Sequence, residues 1–187
     1  GIILRNGDGV SADKQEAAKY FKTAADKGEA NAMYLYGSML HDGEGVKCDK
    51  KEGVKYLKMA AEKENVEAML TYGLILRKGD GVPTDKKEAL KYLKAAADKG
   101  QPESMYLYGI MLSNGEGTSV DKKEAAHYLK MSADNGNTTA MVSYGIMIRK
   151  GDGVGVDKIQ ALRYLKTASD KGHPDATLSI GLMLYEG

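Results

Sequence analysis

The sequence has no tryptophan, one phenylalanine, one cysteine and three prolines among its 187 residues. A lone cysteine excludes a disulfide framework and a cysteine-rich zinc site. It also fits a reducing compartment, which favours the cytoplasm. No apolar run approaches the ~20 residues that a membrane-spanning helix needs. Charge of one sign is lacking too: 27 basic side chains stand against 26 acidic ones, a net of +1. That balance argues against a nucleic-acid surface or a polybasic membrane surface. No signal peptide is visible, and the chain opens on Gly1 rather than Met, so the expectation is an excised segment. What is abundant is Gly (23), Tyr (12) and Met (10), a composition that leans away from a β-protein. The length suits one or two domains and can bury a sizeable core.

The glycines and tyrosines are periodic. Gly1, Gly37, Gly73, Gly109, Gly145 and Gly181 are 36 residues apart, and so are Tyr20, Tyr56, Tyr92, Tyr128 and Tyr164. Asp13, Asp49, Asp85, Asp121 and Asp157 keep the same spacing, each followed by Lys. Five periods fill the chain, leaving no room for a separate folded domain. The expected organisation is a single repeat domain over 1–187, with a partial first helix at 1–6 and helix pairs in register from 13 to 186.

One unit, 30–64, predicts two helices. From about Ala30 to Asp42, Ala32, Met33, Tyr36, Gly37 and Leu40 share one face at 100° per residue (helix A). Gly43-Glu44-Gly45 then stops the helix, because glycine adopts positive φ freely. From about Lys50 to Lys63, Gly53, Val54, Tyr56, Leu57, Ala60 and Ala61 form the apolar face of helix B, and Lys51, Lys55, Lys58 and Glu62 face water. Asp13/Glu16, Asp49/Glu52, Asp85/Glu88 and Asp121/Glu124 read as capping boxes at the start of helix B, with Asp157/Gln160 as the fifth. Gly28, Gly100, Gly136 and Gly172 read as its stops, and Asn65 is expected to take the left-handed role in the second repeat. Pro102 and Pro174 fall in the first turn of a helix A, where proline is tolerated. One helix pair cannot bury its apolar face, but stacked pairs can. The fold class is therefore all-α, αα-hairpin repeats of 36 residues stacked into a solenoid.

The pattern A-x-x-x-Y-G-x-x-L (Ala32, Tyr36, Gly37, Leu40), then G-x-G-V (Gly43, Gly45, Val46), then D-x-x-x-A-x-x-Y-L-x-x-A-A (Asp85, Ala89, Tyr92, Leu93, Ala96, Ala97) resembles the Sel-one-like repeat (SLR) family. That family is related to tetratricopeptide repeats, whose unit is 34 residues. Departures are Gly53 for the helix-B alanine, Glu64 for the terminal glycine and Ser104 for the helix-A alanine. The resemblance implies a right-handed superhelix with the A helices on its concave side. It implies an adaptor or scaffold that gathers other proteins, not an enzyme. A disulfide-rich bacterial branch linked to β-lactam binding and hydrolysis supplies the alternative, enzymatic reading. That branch staples its helices with cysteine pairs, whereas this chain has only Cys48.

No residue set reads as a catalytic, metal or cofactor site. The five G-x-G loops (Gly7-Asp8-Gly9 and its successors) lack the preceding strand and the further glycine or Gly-Lys-Ser/Thr of a phosphate loop. They also lack the alternating oxygen ligands of a calcium loop, and read as helix-to-helix turns. His41, His127 and His173 have no metal-ligand spacing and no nucleophile beside them, and are expected at surface or capping positions. Cys48 precedes a helix-B cap, where Ala12, Thr84, Val120 and Val156 stand in the other repeats, and suits a hydrophobic staple. Lysines of helix B pair with acids three or four residues away, as in Glu16/Lys19, Glu52/Lys55 and Glu88/Lys91, which reads as a solvated wall. Met33, Met69, Met105 and Met141 read as core.

A partner is expected on the other face of helix A. There Tyr34, Leu35, Leu70, Leu74, Tyr106, Leu107, Ile110, Val142 and Ile146 form a stripe more apolar than a solvated surface requires. Glu67 and Glu103 lie at one edge of it, Arg77 and Arg149 at the other. Apolar patches of this kind mark binding grooves; packing between adjacent A helices is the competing explanation. Arg77 and Arg149 recur at every second repeat, and would hold acidic groups of an elongated protein or peptide partner. Duplication of a two-repeat block also explains that alternation. A structural spacer role, or end-to-end self-association of uncapped repeats, is the third class of reading.

Overall fold

The computed structural model describes residues 13–186; the partial helix expected at 1–6 and the first glycine loop lie outside them. The described residues contain ten α-helices and no strand. These are α1 (Lys14–Asp26), α2 (Ala30–Asp42), α3 (Lys50–Glu62), α4 (Val66–Lys78), α5 (Lys86–Asp98), α6 (Pro102–Asn114), α7 (Lys122–Asp134), α8 (Thr138–Lys150), α9 (Lys158–Asp170) and α10 (Pro174–Glu186). Odd-numbered helices are the B helices of the sequence pattern and even-numbered ones the A helices. Two compact units divide between Tyr92 and Leu93.

Local chemistry sets most of the helix ends. The carboxylates of Asp13, Asp49, Asp85, Asp121 and Asp157 accept from the backbone N–H three residues on, at 2.8 to 3.0 Å. Caps of this kind contribute about 1 kcal/mol each. Asn65, Gln101 and Asn137 cap A helices in the same way. Every A helix from α2 to α8 ends on a glycine in the left-handed region, with φ of 69° to 79°. The chain then returns at once: the N–H of Asp49, Asp85, Asp121 and Asp157 donates to the carbonyls of Leu40, Leu76, Leu112 and Ile148. One expectation is corrected. Glu64, at φ 63°, takes the left-handed turn of the second repeat, and Asn65 is the cap of α4. The 36-residue register explains this, because position 64 corresponds to Gly28, Gly100 and Gly136.

In the second to fifth repeats, helices A and B meet over small residues and a tyrosine pair. Tyr36–Tyr56, Tyr72–Tyr92, Tyr108–Tyr128 and Tyr144–Tyr164 pack edge to face, their centroids 4.7 to 5.2 Å apart. Such pairs are worth about 0.5–1.5 kcal/mol beyond their area. In the second repeat glycine stands on both helices, and their backbones approach closely. A Cβ on Gly53 would lie 2.7 Å from the Gly37 carbonyl oxygen and 2.7 Å from the His41 nitrogen. Met33, Met69, Met105 and Met141 are buried, as their spacing predicts.

Candidate partner-binding face

Within the first unit, α2 carries Tyr34 and Leu35, and α4 carries Leu70 and Leu74, all half-buried. Leu35 packs on the cluster of Ala17, Ala18, Phe21 and Met39, so part of its area belongs to the core. Glu67 is exposed in the first turn of α4, and Arg77 is half-buried in the last. An acid at the start of a helix and a base at its end both favour the helix dipole, so these charges have a local reason to be there.

In the second unit, Tyr106 and Ile110 of α6 and Ile146 of α8 are half-buried. Tyr106 and Ile146 rest on a core that includes Ala133, Ala140, Met141 and Leu165. Leu107 and Val142 lie beneath that surface, 7% and 6% exposed. They support the stripe rather than form its contact layer. Exposed Glu103 accepts from Asn137 Nδ2 at 2.8 Å, and Arg149 stands in the last turn of α8. The geometry of both units is therefore a half-exposed apolar stripe between polar helix ends.

The B helices carry paired charges. Lys19–Glu16, Lys55–Glu52 and Lys91–Glu88 pair at three residues' distance, and Lys22–Asp26, Lys94–Asp98 and Lys130–Asp134 at four. Two ladders that the sequence reading missed run between repeats. Lys14, Lys50 and Lys122 reach the loop acids Glu44, Asp80 and Asp152 of the next repeat, at 2.8, 2.6 and 3.1 Å. Tyr56, Tyr128 and Tyr164 donate back to Asp26, Asp98 and Asp134 of the preceding one. Both have a 30-residue offset, a visible signal once the 36-residue unit is known. The acids Glu44, Asp80 and Asp152 of the glycine loops thus have a stacking role.

Lys94 shows what such a joint does to protonation. Its ammonium donates to Asp98 at 2.8 Å and to Tyr128 at 3.2 Å. The Asp98 hydrogen bond, then that of Tyr128, raises its pKa, and Lys94 in turn lowers that of Asp98. Burial raises the Tyr92 phenol to about 12, helped by the charge of Glu62. Tyr108 is also raised to about 12, first by burial and then by Glu124.

His41 departs from its expected surface position. Its side chain is 14% exposed, with Nδ1 2.8 Å from Asp42 and Nε2 3.4 Å from Asp80. α3 also lies close against the His41 backbone at Gly53. Cys48 is exposed, and its thiol lies 3.3 Å from the His41 carbonyl oxygen. Among the described residues, no group of three or more His, Cys, Asp or Glu is placed to hold a metal ion. Nor is any helix among them long and apolar enough to cross a membrane.

A family model described as Sel1 repeat matches residues 1–29, 30–65, 66–101, 102–137 and 138–173. Among solved structures, the chain is similar to a protective antigen of uropathogenic Escherichia coli with an SLR fold. They share 31% identity over 100% of this chain and 40% of that one, with a TM-score of 0.95. It is similar to a Sel1 repeat protein of Oxalobacter formigenes, at 26% identity over 96% of this chain and 71% of that one, with a TM-score of 0.87. Cysteine-rich protein B of Helicobacter pylori shares the fold at 20% identity, over 69% of this chain and 96% of that one, with a TM-score of 0.58. The chain thus spans about 40% of the length of the E. coli antigen. Nothing among the curated proteins matches it.

Proposed function

Since the chain belongs to the Sel1 repeat family, whose helical solenoids commonly act as protein-interaction scaffolds, we propose that it binds a protein or peptide along its A helices. One observation carries this reading: the half-exposed stripe of Tyr34, Leu35, Leu70 and Leu74 in the first unit, and of Tyr106, Ile110 and Ile146 in the second. Half-buried apolar side chains gain free energy when a partner removes their remaining surface from water. Leu35, Tyr106 and Ile146 are also held against the core beneath them, so binding costs them little side-chain entropy. Arg77 and Arg149 hold acidic groups of the partner at one edge of the stripe, and Glu67 and Glu103 face it from the other. Several weak anchors spread over successive helices give an affinity that area alone does not set. A photo-crosslinking residue placed at position 110, and separately at exposed Lys123 on α7, tests the assignment. A discrete cross-linked protein from position 110 alone supports it; cross-linking from position 123 alone moves the site to the B helices.

A further inference from the structure

We draw no further inference here: the strongest candidate, the groove of about 640 Å³ at the last described repeat, lined by Ile159 and Leu162 of α9 and Met183 and Leu184 of α10 beside Arg149, Lys150 and Lys158, carries nothing because nothing in the structure shows what covers this apolar face.

Discussion

Gly53→Ala should destabilise the protein, although alanine is the residue that four other repeats carry there (Ala17, Ala89, Ala125 and Ala161). Two terms compete. In a helix interior alanine is favoured over glycine by about 1 kcal/mol. Against this, the new methyl would stand 2.7 Å from the Gly37 carbonyl oxygen, 2.7 Å from the His41 nitrogen and 3.1 Å from the His41 Cα. All three are backbone atoms of α2, so no side-chain rotation relieves the clash. The helices must separate, which loosens the Tyr36–Tyr56 contact. Overpacking of this kind costs about 1–3 kcal/mol. With about 2 kcal/mol as the middle of that range, the net loss is about 1 kcal/mol, or about 2–4 °C in Tm for a chain of this size. The control is Gly181→Ala in α10, where the methyl would meet nothing within 4 Å. That variant keeps the helix-propensity gain without the clash. Helical ellipticity followed through heat and urea denaturation of both variants is the assay. A Gly53→Ala protein at least as stable as the parent would refute the reasoning, since the tight approach of α2 and α3 would then cost nothing.

Ser104→Ala should stabilise by about 1 kcal/mol, because the Ser104 hydroxyl is buried without a hydrogen-bond partner, and removing it ends an uncompensated desolvation; the urea midpoint reads this. Alkaline pH should unfold the chain. Tyr92 and Tyr108 are raised from 10.0 to about 12, so the stability they contribute is intact below pH 10 and is lost between pH 10 and 12. Tyrosinate absorbance should then rise together with the loss of ellipticity, and full titration of a still-helical chain would contradict it. A chromogenic β-lactam should show no sustained turnover, since the two ring nitrogens of His41 face carboxylates rather than a nucleophile.

What was legible in the sequence was the local part. Helix A of the second repeat runs from Ala30 to Asp42 as its apolar period requires, and helix B stops one residue short of the expected Lys63. Aspartate caps and glycine stops act within a few residues of themselves, and repetition multiplied each signal. Sequence pattern points to Asn65 rather than Glu64 for the left-handed turn because a non-glycine residue with positive φ is rare and asparagine is enriched there. Contacts between repeats were harder to read. The partial burial of His41 and the depth of Leu107 and Val142 depend on how far each repeat advances on the last, which no periodicity specifies. For the same reason the apolar stripe was legible as a pattern of residues, but its division into half-exposed and buried members was not.

The most direct test of the account is a paired affinity capture from a lysate of the source organism. It uses the parent chain and a variant carrying Leu74→Glu, Tyr106→Ala and Ile110→Glu, the latter verified as helical by circular dichroism. The account predicts a protein retained by the parent and lost by the folded variant. Equal capture by both would contradict it, because binding would then owe nothing to the half-exposed apolar residues of α4 and of α6.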